Sequence, residues 1–204
     1  MQIFSQVSFQ DLEQLYQVEV KAQAFLPALA AAAAPDWLTA YLALNAKSAA
    51  QARSEKALSE DLIAPVLRAV QVGHAAEVGL FSGEPMSDGE LSGICDFILT
   101  GSPDAYLLKA PLLVVVEAKK QELSGGIAQC VAEMIAARHL NERAGLPFTA
   151  MYGCVTTGNQ WQFLRLSGPL AQADPRVFYL SEVGLVLGAF GWIIGQFQQP
   201  AGGN

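Results

Sequence analysis

Apolar positions along this chain follow two periods, and the switches between them mark out its elements. The longest unbroken aliphatic run ends in charges: Leu112-Leu-Val-Val-Val-Glu-Ala-Lys119. Such a run predicts a strand covered on both faces. Side chains alternate along a strand, so Leu113, Val115, Glu117 and Lys119 are expected to share one face. That face starts as core and finishes in opposite charges. A buried charge is costly unless it is paired or bound to a metal. Glu117 and Lys119 therefore mark either the wet end of a strand or groups held there for chemistry.

The helical period dominates the first third of the chain. Residues from about Ser8 to Ala34 read as helix, with Ser8 as cap, Phe9, Leu12, Leu15 and Tyr16 as its apolar stripe, and Pro35 as its stop. A second piece begins at Pro35-Asp36 and carries Trp37, Leu38, Tyr41 and Leu42. Ser54 to Val70 forms another helix, with Ser54 as N-cap, Leu58, Leu62 and Val66 on its stripe, and a bend at Pro65. Glu55 falls on that stripe. It either supports the helix N-terminus, worth about 0.3–1 kcal/mol, or faces a site. Glu60 falls off the stripe and is expected in solvent.

Strands follow. Ala76–Phe81 is short and runs into the turn-rich Ser82–Glu90. Gly93–Thr100 is apolar on both faces except for the carboxylate of Asp96. The aliphatic strand ending at Lys119 is third, and the three suit an antiparallel meander. Ser124 to about Arg143 is a helix with Ile127, Val131, Met134, Ile135 and Leu140 on its apolar side and Gln129 near its start. It is long enough to cross to a parallel strand at Thr149–Thr156. Thr157-Gly-Asn159 signals a hairpin into Gln160–Leu166. A short strand near Val177–Leu180, a last helix from Ser181 and a frayed tail from Gln198 complete the chain. The order predicts a mixed α/β fold: a central sheet flanked by helices, with a helical N-terminal extension over 1–50 and the main domain over 51–204.

Composition narrows the function. Hydrophobic residues make up 52% and charged residues 15%, which argues for a packed core over disorder. A net charge of −7 counts against a broad nucleic-acid footprint, but not against a small channel where a few Lys and Arg gather. The three cysteines, Cys95, Cys130 and Cys154, lie apart in apolar segments and read as buried thiols in a reducing compartment. No spacing suggests zinc. Val183–Phe197 is too short for a bilayer and is broken by glycines, and no signal segment opens the chain. A soluble cytoplasmic protein without a membrane partner is expected.

Asp96, Glu117 and Lys119 form the constellation that carries chemistry. If their strands pair, Asp96 sits beside Glu117. Two carboxylates at about 4 Å repel by roughly 4 kcal/mol at an effective dielectric near 20. Such a pair suits Mg²⁺, which binds through one or two carboxylates plus substrate phosphate. Lys119 could then orient the attacking water or neutralise charge on the phosphate.

Asp96 followed by Glu117-Ala-Lys119 at the end of an aliphatic strand resembles the core of the PD-(D/E)XK nuclease superfamily. Ser54-Glu-Lys-Ala, Leu62–Leu67, Cys95–Leu99, Val116–Lys119 and Val155–Gly158 are similar to a bacterial subgroup of it. Cys95 stands where that superfamily commonly has Pro. The resemblance implies a restriction-endonuclease-like sheet and hydrolysis of DNA phosphodiester bonds with Mg²⁺, or Mn²⁺ in its place. It implies that Asp96 and Glu117 are metal ligands, Lys119 the catalytic amine, Glu55 an auxiliary ligand or water positioner, and Gln129 a polar support. The alternative is a catalytically silent binding or regulatory subunit of the same fold, acting as a homodimer or with a protein partner.

Overall fold

The computed structural model describes residues 1–50 and 54–198; the side chains of residues 46–50, Glu55 and Gln198 lie outside that description. The expected frayed tail falls at its limit, and residues 199–204 lie outside the described residues. The architecture is mixed α/β, built on a nine-stranded mixed sheet. In chain order the elements are β1 (Gln2–Ile3), α1 (Phe9–Gln14), β2 (Glu19–Ala22), α2 (Asp36–Ala50), α3 (Glu55–Leu58), α4 (Ala64–Gly73), β3 (Gly79–Ser87), β4 (Leu91–Thr100), β5 (Leu112–Ala118), α5 (Ser124–Arg143), β6 (Met151–Thr156), β7 (Gln160–Ser167), β8 (Leu170–Ala173), β9 (Phe178–Tyr179) and α6 (Val183–Gln198).

The middle of the sheet follows the apolar pattern. β3, β4 and β5 form the antiparallel meander, and β5 pairs with β6 in parallel through the α5 crossover. β6 and β7 form the hairpin around Gly158. Every residue of β5 and of β6 is buried. Trp161 and Phe163 are core residues, as the alternation of β7 requires.

One face of the sheet packs against α2, α4 and α6 through Leu38, Val66, Leu67, Val186 and Phe190. The other packs against α5 through Val131, Met134 and Ile135. The expected face of β5 is corrected at one position. Leu99 pairs with Val114 but Thr100 pairs with Leu112, which leaves Leu113 as the extra residue of a bulge. Leu113 therefore joins the cluster under α4 and α6, while Leu112 and Val115 face α5.

The N-terminal reading needs the largest correction. Ser8 does cap a helix, through a capping box with Asp11, but α1 stops at Gln14. Of its expected stripe only Leu12 is core, whereas Phe9 and Leu15 are exposed. The segment 1–50 is woven into the sheet: β1 lies parallel to the start of β4, and β2 lies parallel to β8 at the edge. Phe4, Val7, Leu12 and Val18 cover the outer side of α5, which is why that helix is buried nearly all round. Two further strand readings are revised. β3 runs on through the turn-like Ser82–Ser87, since an edge strand tolerates Pro85, and β8 is an element the pattern did not announce. The Ser54 helix bends as expected near Pro65, through a π turn over Ser59–Ile63.

Residues 23–34, rich in alanine, are an extended strap and not a helix. The Ala32 N–H donates to the Gly184 carbonyl of α6 at 2.8 Å. A Cβ on Gly184 would lie 2.7 Å from the Ala32 oxygen, and one on Gly188 would run into the Ala30 oxygen. Counted with the turn before it, the segment Leu180–Phe197 reaches the length and apolarity of a membrane span, at mean hydropathy 1.4, a test that core helices also pass. In this fold it supplies Val186, Ala189, Phe190, Ile193 and Ile194 to the core. Gly188→Ala is expected to lower stability in urea unfolding by about 1–2 kcal/mol, because strap or helix must shift. Gly195→Ala, with nothing within 4 Å of the added methyl, should be neutral or stabilising by up to about 1 kcal/mol.

Candidate functional site

The candidate site forms where β4 and β5 part. Phe97 is paired with Val116, and one step further Asp96 comes level with Glu117. There the Asp96 side chain replaces a backbone partner: its Oδ2 accepts the Ala118 N–H at 2.8 Å. On the other side of β5, Glu117 and Ala118 stay paired with Val155 and Thr156 of β6, and the Lys119 N–H donates to the Thr156 carbonyl at 2.8 Å. Three of the expected residues are thus fixed by backbone geometry at one sheet end.

Glu117 is only 2% exposed, so a solvated strand end is excluded. Lys119 Nζ donates to Glu117 Oε1 at 2.6 Å and to Gln129 Oε1 at 3.1 Å. The stem of Lys119 passes over Gly126 at the start of α5, where a Cβ would lie 3.0 Å from its Cγ and 3.1 Å from its Cε. Of the five residues singled out in the sequence, the structure therefore brings Asp96, Glu117, Lys119 and Gln129 together. The Glu55 side chain lies outside the described residues. Glu60 is exposed, as expected.

One participant was missed. Glu133 of α5 is fully buried, and its Oε1 accepts from Gln129 Nε2 at 3.1 Å. Its carboxyl is close enough to Glu117 for the charge of that acid to oppose its own. The signal was the four-residue spacing from Gln129, one helical turn, which puts both on the same stripe. Burial pushes the Glu117 carboxyl up to about 7; the charge of Asp96 adds to the rise and Lys119 opposes it. Burial, then the charge of Glu117, pushes Glu133 well above the usual carboxylate range. Burial, then the same acids, push the Cys95 thiol up, so it is no nucleophile.

The donor chemistry fits a hard divalent cation. Oε2 of Glu117 and Oε2 of Glu133 are buried without a hydrogen-bond partner. An orphaned carboxylate oxygen beside a second acid is what a bound cation would satisfy. Among the described residues no three His, Cys, Asp or Glu side chains converge as a ready cage. One or two carboxylates completed by water and phosphate is the ordinary Mg²⁺ arrangement.

The two histidines divide. His74 is the C-cap of α4, as expected of a helix end, and lies 3.4 Å from Glu77. His139 sits within α5 and bonds buried Asp88 of the β3–β4 turn at 2.5 Å. The three cysteines are free and buried. Comparison of the chain with protein-family models, with curated proteins and with solved structures returns no match.

Proposed function

We propose that this protein is a divalent-cation-dependent nuclease that hydrolyses DNA phosphodiester bonds, on a sheet of restriction-endonuclease-like type. One observation carries the reading. Two carboxylates and an amine from β4 and β5 converge where those strands separate, and one buried oxygen of Glu117 has no donor. Asp96 and Glu117 would hold Mg²⁺ or Mn²⁺. When bound, the cation supplies charge neutralisation at the phosphate and a more acidic water. Lys119, held by Glu117 and Gln129, presents its ammonium at the same end of β5, where it would orient the attacking water and offset negative charge on the phosphate. The apolar walls from β4, β5 and α5 strengthen these charges by excluding solvent.

The test is cleavage of supercoiled and linear DNA. Parent protein should cut with Mg²⁺ or Mn²⁺ and stop on chelation. Lys119→Met and Asp96→Asn should each slow cutting at least about 100-fold, the scale of losing one preorganised charge contact. If both variants cut like the parent, the site is elsewhere. A second reading, a silent subunit of the same fold with a protein partner, is favoured by the net charge of −7, which leaves few cations to grip phosphates. It predicts stoichiometric Mn²⁺ uptake with no cleavage and no salt-dependent DNA binding.

A further inference from the structure

We infer that Glu133 is a positioning residue for Lys119, acting through the side-chain amide of Gln129. This deepens the nuclease reading, because Lys119 is the amine of that site.

Glu133 stands on α5 among Cys130, Val131, Ala132 and Met134, all buried. An apolar residue there would serve packing better than a buried carboxyl. Its contacts show what the acid does instead. Gln129 Nε2 donates to Glu133 Oε1, and Gln129 Oε1 accepts from Lys119 Nζ. An amide has a donor end and an acceptor end of nearly equal shape. Turned over, it would set its NH₂ against the Lys119 ammonium and lose that bond. Glu133 therefore holds the far end of the amide in place, and the amide oxygen holds the amine.

Three positions on one stripe of α5 divide the task. Gly126 gives room to the Lys119 stem, Gln129 takes one of its protons, and Glu133 holds Gln129. Lys119 is then clamped between β5, through Glu117, and α5, through Gln129.

The experiment reads the amine without DNA. Full-length protein is treated with limiting succinimidyl acetate, and acetylation of Lys119 is measured by peptide mass spectrometry relative to exposed Lys56, whose side chain is 84% exposed. Glu133→Met fills the same volume without an acceptor and should raise the Lys119 ratio about fivefold, the scale of one ordinary lost hydrogen bond. Glu133→Gln keeps an acceptor oxygen and should stay near the parent. Gln129→Met should match Glu133→Met, and the double variant should add nothing to either. Should Glu133→Met not fold, Glu133→Leu, which also lacks an acceptor, takes its place: alone it must release Lys119, and on top of Gln129→Met it must add nothing. An unchanged ratio in Glu133→Met or Gln129→Met overturns the inference, as does additivity in the double variant. Release of Lys119 in a protein that cuts no DNA sinks the nuclease reading and spares the positioning. Cleavage without release does the reverse.

Discussion

Asp174→Ala is expected to cost about 3–5 kcal/mol, since it removes several hydrogen bonds to a buried carboxylate, each worth about 1.5–3 kcal/mol and only partly additive, and to lower the melting temperature by roughly 10 °C for a chain of this size. Asp174 follows β8 and is fully buried. One carboxylate oxygen accepts the Phe25 and Leu26 N–H groups at 3.1 Å each, which anchors the start of the strap. Both oxygens engage Arg176, through Nε at 2.9 Å and an Nη at 2.8 Å. Arg176 also donates to the carbonyls of Leu26 and Pro27. Alanine leaves the N–H groups of Phe25, Leu26 and Arg176 without their acceptor, the guanidinium without its carboxylate, and the strap without its pin. These bonds hold the Asp174 carboxyl well below the usual carboxylate range, against the opposing effect of its burial. A carboxyl lowered in the fold contributes its stability above the unfolded-chain value near 4 and loses it as pH falls through the folded value. Parent protein should thus weaken in acid on this account and Asp174→Ala should not. Differential scanning calorimetry from neutral pH downward checks both.

The second large effect has the opposite sign. Glu117 is raised from 4.5 to about 7. A raised carboxyl contributes fully below its unfolded value and loses that contribution as pH climbs through the folded one. The shift corresponds to about 3 kcal/mol lost between about pH 5 and about pH 8. Glu133, raised for the same reason, pushes in the same direction. Urea unfolding in chelator should show this fall for the parent, and Glu117→Gln should flatten it. Millimolar Mg²⁺ should restore stability at the alkaline end and do little near pH 5, because a cation binds the deprotonated acids and adds stability by mass action. A parent profile that is flat with pH, or a Mg²⁺ effect equal at both ends, contradicts the charge assignment of this site.

What could be seen beforehand was whatever local pattern alone decides. The run Leu112–Ala118 has no reading but a doubly covered strand, and placing Glu117 and Lys119 followed from it. Asp96 stood out for the same reason, as one acid in an apolar strand. Gln129 lay close enough to the start of its helix to face the same end of the sheet. Glu133 was hidden because a Glu among alanines on a helix normally faces water, whereas here it shares the sheet-facing stripe of Gly126 and Gln129 on a helix buried nearly all round. The strap was misread because alanines favour helix, yet the bond from Ala32 to Gly184 and the pin at Asp174 outweigh that weak preference. Small side chains are what let the strap lie so close to a helix. β3 was cut short because Pro85 and Gly83 look like turn residues, a rule that relaxes at a sheet border.

The strap also sets how this protein fails. While Asp174 keeps its charge, residues 23–34 lie along a helix apolar enough for lipid. Strong acid discharges the anchor, and what comes loose uncovers a greasy rod in water. Coagulation or adsorption to vesicles then competes with refolding, so acid damage to this chain should be a one-way event well before its sheet has come apart.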